Sequence, residues 1–268
     1  MTHSVPQHKR TYKRSVSRII STILLIVGIL LLATAGGLYG WQQYNYWNQE
    51  QVTQKLKKYV HIPASHTGKK SDAKSEPPTV DWAGLKAINP DVVAWIYIPG
   101  TVVNYPIYQG PDNDKYLRHT AEGDWSIGGQ LFIDYQNTAP GLVDNHTLVY
   151  GHHMNNESMF QPIARISNQS DFEQLHSIWY ITEQSATELT PLFIYNTVAT
   201  DVETRTLNFN STQALHSFFQ QDADHAYAKH SDTDAIIQKA SHYLSLITCK
   251  SLFGDGRTVL VAVPKSEI

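Results

Sequence analysis

Cys249 is the single cysteine among 268 residues. A lone thiol cannot form an intramolecular disulfide, so in an exported chain it is either buried and inert or reactive and used. It closes the run His242-Tyr-Leu-Ser-Leu-Ile-Thr-Cys249, whose side chains alternate faces as a strand, with Cys249 on the side of Ser245 and Ile247. The chain continues Lys250-Ser-Leu-Phe-Gly-Asp-Gly-Arg257, where Gly254, Asp255 and Gly256 supply turn chemistry, and residues 258–263 read as the next strand. A return connection of this kind brings Arg257 beside Cys249. A cation there favours the reactive thiolate or stabilises oxygen charge that develops during acyl transfer. From its position alone, Arg257 reads more simply as a strand-end arginine paired with a surface carboxylate.

Acyl transfer by a thiol also needs an acid/base. His152 follows the strand-like run His146-Thr-Leu-Val-Tyr-Gly151, after a glycine that lets the backbone turn. An imidazole with an ordinary pKa of about 6.5 can deprotonate a thiol and then protonate a leaving amine. With 13 histidines in the chain, spacing alone does not choose between His152 and its neighbour His153. The pair suggests a metal, but no second cluster with recognisable ligand spacing accompanies it, so no metal is expected. A net charge of -3 with scattered Lys and Arg gives no field for a phosphate backbone, which argues against nucleic acid as a partner.

The elements that must position these residues come in two parts. Residues 2–18 carry Lys9, Arg10, Lys13, Arg14 and Arg18 without an acidic side chain, and residues 19–40 are uncharged and long enough to cross a hydrocarbon core of about 30 Å. The basic flank predicts a cytoplasmic N-terminus, and Trp41, Tyr44, Tyr46 and Trp47 fit an interfacial belt on the far side. The competing reading is a cleaved signal peptide with Ala33-Thr34-Ala35 as its site, although the apolar run continues past it. The organisation expected is a basic tail at 1–18, a transmembrane helix at 19–40, a juxtamembrane helix and linker at 41–78, and a folded domain from Thr79 to the end. Val52, Leu56, Tyr59 and Val60 give the juxtamembrane helix its apolar face, and 65–78 has linker composition. Beyond it, strands are expected at 92–98, 130–134, 146–150, 191–198, 243–248 and 258–263, a pattern of a closed or sandwiched sheet. Helices are expected at 159–166, continuing to Leu175, and at 211–219 with Ser211 as cap.

The segment Leu246-Ile-Thr-Cys249, with Arg257 after it and Tyr150-Gly-His152 before it, resembles the signature of sortases, with Ser245 where their motif begins with threonine. Class B sortases are the nearest match, through Asn89-Pro-Asp-Val-Val-Ala-Trp-Ile-Tyr-Ile-Pro99, Tyr105-Pro, Gln109-Gly-Pro-Asp-Asn113-Asp-Lys-Tyr-Leu117 and Leu131-Phe-Ile-Asp-Tyr135. Lys250 departs from relatives that often carry an acidic residue after the cysteine. The resemblance implies a mostly-β fold, a closed eight-stranded sortase-type barrel with inserted helices. It also implies a membrane-anchored bacterial transpeptidase whose catalytic domain is extracytoplasmic. Cys249 would attack the carbonyl of a threonine in a C-terminal sorting signal and form a thioacyl enzyme. His152 would protonate the departing amine, and Arg257 would hold the signal and help stabilise the oxyanion. A peptidoglycan-precursor amine or a pilin lysine would resolve the intermediate, and no cofactor is implied. By the same resemblance, Asn113, Leu117, Ile247 and Thr248 line the signal-binding groove, and His152 rather than His153 is catalytic.

Two other readings use the same sequence. An exported cysteine peptidase would carry the same three residues and use water as acceptor. An anchored binding module would recognise protein tails without turning them over.

Overall fold

A computed structural model describes residues 16–63, 76–249 and 255–268, with Cys249 described by its backbone alone. The chain divides into two compact units, residues 1–45 and 46–268.

Helix α1 spans Val16–Lys57. In the first unit it exposes Ile19, Ile23, Leu24, Leu31 and Leu38, and it is long and apolar enough to cross a membrane. From Tyr46 onward the helix belongs to the second unit, where Gln49, Thr53 and Leu56 are buried at the spacing of one helical face. The separate juxtamembrane helix expected from sequence is therefore the end of one continuous helix, since no Gly or Pro interrupts residues 41–57. The compact unit begins at Tyr46 rather than near Thr79, because Leu56 packs in one cluster with Leu85, Trp95 and Trp179, with Val52, Tyr59 and Val60 against it. Most of the expected basic tail and linker lies outside the described residues.

Strand β1 (Val60–His61) pairs antiparallel with β2 (Thr79–Val80), and α2 (Trp82–Ile88) follows, capped by the Asp81 carboxylate accepting from the Gly84 amide. The remaining elements are β3 (Val92–Tyr97), β4 (Asn104–Tyr108), α3 (Lys115–Arg118), β5 (Leu131–Ile133), β6 (His146–Tyr150), α4 (Gln161–Ala164), α5 (Gln169–Phe172), β7 (Ile178–Ile181), β8 (Ala186–Val198), α6 (Thr212–Asp224), β9 (Ala228–Lys229), α7 (Thr233–Ile237), β10 (Tyr243–Cys249) and β11 (Gly256–Pro264). Eight strands lie in the order β11-β10-β6-β5-β4-β3-β7-β8, and β11 pairs with β8 to close the ring. The short β9 adds to the other side of β8. The expected closed eight-stranded barrel is thus present.

Strand alternation divides the side chains between the barrel interior and its outer faces. All eight strands contribute to the interior, among them Ile96, Ile107, Ile133, Val149, Tyr180, Ile194, Leu246 and Leu260. Phe160 and Ile163 near α4 and Phe172 of α5 belong to the same cluster. One outer face, with Leu148, Tyr195, Tyr243, Ile247 and Val261, is covered by Leu215 and Phe219 of α6 and Ile236 and Ile237 of α7. The other, with Trp95, Tyr108, Phe132 and Trp179, is covered by Leu56 of α1 and Leu85 of α2.

Two sequence expectations change. The single helix from 159 through Leu175 is instead α4 and α5: Met159 has φ 56, outside the helical region, and Asn168 ends the run by capping α5. The α6 helix keeps its Ser211 cap but runs on to Asp224. Strands β4 and β7 were not foreseen, being short and, in β4, interrupted by Pro106.

Candidate active site

The site is assembled where β10 ends between β6 and β11. The β6–β10 pair is parallel, with Ser245 opposite Leu148 and Ile247 opposite Tyr150. The same register carried two residues further aligns Cys249 with His152, and the Gly151 amide still donates to the Ile247 carbonyl at 3.0 Å. On the other side β10 and β11 are antiparallel, and Cys249 faces Arg257 directly. The sole cysteine is therefore flanked at backbone level by a histidine and an arginine that lie far apart in sequence. Lys250 lies outside the described residues.

His152 is held by its backbone and by its ring. A Cβ at Gly151 would come within 2.5 Å of both Leu131 Cδ2 and Phe160 Cδ2, so glycine lets the chain leave β6 against the core. The Phe160 amide donates to the His152 carbonyl at 3.0 Å, which fastens the loop that follows. The ring donates from Nε2 to the Leu117 carbonyl at 2.8 Å. That bond selects the tautomer in which Nδ1 carries the lone pair, so Nδ1 is the atom available as base. Burial holds the imidazole pKa below its usual value, the Leu117 carbonyl acts against this, and the charges of Arg118 and Arg257 lower it further. His152 is thus biased towards the neutral form a general base requires. His153 instead makes an isolated bridge with Met159.

Arg257 is half-buried, and its Nη1 donates to the Gly256 carbonyl at 3.1 Å. It forms no salt bridge with a carboxylate among the described residues.

The predicted groove residues divide. Leu117 is the third residue of α3, and its carbonyl is the group that orients His152. A Cβ at Gly129 would lie 2.1 Å from the Tyr116 carbonyl oxygen and 2.7 Å from that of Leu117, so the close approach that fixes this turn requires glycine, here at φ +51. The end of α1 supports the same turn: Leu56 and Val52 pack with Tyr116, Leu117 and Ala121, and Lys55 pairs with Glu122. Asn113 joins two loops, donating from Nδ2 to Asp134 at 2.9 Å and accepting from the Tyr135 amide at 3.0 Å. Ile247 lies on the outer face one row from Cys249, whereas Thr248 has the parity of the interior residues Leu244 and Leu246. Those two side chains do not face one pocket. Thr248 is 2 % exposed, and its hydroxyl has no hydrogen-bond partner among the described residues.

Sequence reasoning missed the Leu117 carbonyl, because no residue type signals which backbone oxygen will receive an imidazole. Asp134, at the end of the apolar run Leu131-Phe-Ile, has no role in the sequence reading, yet a carboxylate in that place is itself a signal, and the structure buries it at 1 % exposure. Ser245, the departure from the threonine, donates to Nε2 of the buried His146 at 2.7 Å.

Comparisons agree with this arrangement. The family model described as "Sortase domain" matches residues 96–265. Sortase B of Staphylococcus aureus is 28% identical over 181 residues, covering 68% of this chain and 72% of that protein. Sortase B of Listeria monocytogenes is 30% identical over 156 residues, covering 58% of this chain and 60% of that one. The crystal structure of Clostridium perfringens sortase B superposes with a TM-score of 0.62 at 30% identity, covering 68% of this chain and 97% of its own.

Proposed function

The chain belongs to the sortase family of cysteine transpeptidases, with class B relatives, and from that premise we propose that it anchors exported proteins to the cell wall through Cys249, His152 and Arg257. The observation that carries this assignment is the register: β10 runs parallel to β6 and antiparallel to β11, so one cysteine lies between one histidine and one arginine.

In the first half-reaction the Cys249 sulfur forms a bond to the carbonyl carbon of a threonine in a C-terminal sorting signal. As it does so His152 takes the thiol proton on Nδ1; the threonyl–amine bond then breaks, and His152 gives that proton to the departing amine. In the second, an amine from a peptidoglycan precursor or a pilin lysine attacks the thioester, His152 takes the proton, and Cys249 leaves. Arg257 stabilises the oxyanion in both halves and holds the signal. Asn113, Leu117 and Ile247 border the bound signal, and Thr248 supports it from the interior side. The apolar part of α1 is the single-pass anchor. The basic N-terminal residues are cytoplasmic, and the catalytic unit lies outside the membrane.

The test uses the full-length chain in detergent micelles with peptides carrying candidate sorting signals, with and without an amine acceptor, read by mass spectrometry. Cleavage after threonine, an amine adduct and loss of both in Cys249→Ala support the reading. Hydrolysis without any adduct at saturating amine would make the protein a peptidase instead, and activity surviving Cys249→Ala would overturn the nucleophile.

A further inference from the structure

We propose that Asp134 is a positioning residue for the acid/base, acting as a clamp through which Arg205 fixes α3, and with it the Leu117 carbonyl, against His152. This rests on the assignment of His152 made above. Asp134 follows β5 at the edge of the site, and its side chain is 1% exposed. A single oxygen, Oδ2, accepts from Asn113 Nδ2 at 2.9 Å, from the Tyr150 hydroxyl at 2.9 Å, and from Arg205 Nε and Nη2 at 3.2 and 3.0 Å. Oδ1 accepts from the Gln136 amide at 3.0 Å. Every contact comes from a donor, the pattern that suits a carboxylate rather than a carboxylic acid.

The three side-chain donors come from three parts of the barrel, and two of them lead to His152. Asn113 precedes α3, whose last turn contains Leu117 and presents the carbonyl that receives Nε2 of His152. Tyr150 ends β6 two residues before His152. Both the ring's hydrogen-bond acceptor and the ring's own strand are therefore tied to one carboxylate oxygen. Arg205 comes from a short 3-10 turn, Glu203–Arg205, in the connection between β8 and α6, and supplies the positive charge that a buried carboxylate requires. Among the described residues the Asp134 carboxylate makes no hydrogen bond to His152 or Arg257, so its effect passes through the tautomer of His152: with Leu117 held in place Nε2 keeps the proton and Nδ1 remains the base. If α3 shifts, the ring can be protonated on Nδ1 instead and is then the wrong base.

The reading predicts a spectroscopic signature that a purely structural carboxylate would not give. In the full-length chain labelled with 15N-histidine, with the His152 resonances assigned through His152→Gln, the neutral ring should be the Nε2-protonated tautomer in the wild type. Asp134→Asn, which keeps the shape, and Arg205→Ala, at a position whose side chain is 43% exposed, should both introduce the Nδ1-protonated form and lower kcat roughly tenfold, the size expected for one misaligned charge-assisted bond. Arg205→Lys should recover part of both effects. An unchanged tautomer ratio in both variants overturns the clamp, as does a shifted ratio with kcat intact. If the wild type turns over no peptide, it is the transpeptidase reading that fails, and the tautomer ratio still decides the clamp by itself.

Discussion

His146 opens β6 and His152 follows its end, both on the flank of the barrel where β6 runs beside β10, and the two ends behave as opposites. At the start, His146 donates from Nδ1 to the Thr206 carbonyl at 2.8 Å and accepts the Ser245 hydroxyl on Nε2 at 2.7 Å. At the finish, His152 donates from Nε2 to the Leu117 carbonyl, and the register aligns it with Cys249. Six residues, about 20 Å of parallel strand, separate the two histidines. The start has the hydrogen-bonded pair that a nucleophile and base would show, but it is sealed: His146 meets Phe219 edge-on at 5.0 Å, and burial pushes its pKa down to about 4. Both ring nitrogens are used, and among the described residues no arginine shifts its pKa. At the other end only Nε2 has a hydrogen-bond partner among the described residues, and two arginines act on the ring. The two ends thus differ in how many ring nitrogens are bonded among the described residues and in the charges that act on the ring.

The sharpest way to break this contrast is substitution at each end. Cys249→Ala and His152→Ala should each lower kcat/KM at least about 10³-fold, whereas His146→Gln should change it by less than about fivefold in the folded protein. Peptide kinetics on the three variants would check this, and a large kinetic loss in His146→Gln would show that the start of the strand pair serves the chemistry. Arg257→Ala should cost roughly 10²–10³ in kcat, the range for losing one oxyanion-stabilising group, with Arg257→Lys recovering part of it in the same assay.

The buried end should instead be visible in stability. His146 has a folded pKa of about 4 against an unfolded value of about 6.5, so the unfolded chain binds the extra proton between those pH values. Its contribution is complete above pH 6.5 and is lost as pH falls towards 4, by roughly 3 kcal/mol in all. Asp222 works in the opposite direction over an overlapping range, since burial pushes its pKa up to about 6 and its protonated form favours the fold as pH falls. The difference between wild type and His146→Gln in denaturant unfolding at pH 7 and pH 4.5 isolates the histidine: the wild type should lose more stability than the variant. Ser245→Ala should destabilise by about 1–3 kcal/mol, because it strands Nε2 of His146 in the core, with kcat unchanged, as read by thermal melting alongside the peptide assay.

The smallest effect belongs to Arg118. Its charge lowers the pKa of His152, so Arg118→Gln should move the acid limb of kcat/KM upward, towards pH 6.5. A pH–rate profile of the variant in which the limb stays fixed would show that this charge is screened at the working site.

Much of this was legible in the sequence. The β6, β10 and β11 strands were readable because each is a run of alternating or continuously apolar residues with turn chemistry at its ends, and Ser211 announced α6 through its cap. The strands β4 and β7 were not, since four or five residues leave too short a period to detect and Pro106 argues against a strand. The start of the compact unit was misjudged because Leu56 in a polar helix has the same pattern whether it faces a membrane or a protein core. Ile247 and Thr248 were assigned to one pocket although alternation alone puts them on opposite faces.

By itself, the sequence supplied the candidate groups: one cysteine, an arginine after the following turn, a histidine after Tyr150-Gly151, and an uncharged span near the N-terminus. These are local facts of residue type and short spacing. Tertiary structure decided the rest, because it depends on contacts between distant segments. The parallel β6–β10 pairing, which runs to Tyr150 opposite Ile247, leads residue 152 towards residue 249, the Leu117 carbonyl selects the tautomer, and Arg205 meets Asp134 across 71 positions of chain. No local period encodes a partner that far away. What fixes such a pair is the closing of the barrel, where buried polar atoms must find their hydrogen bonds or the fold is destabilised.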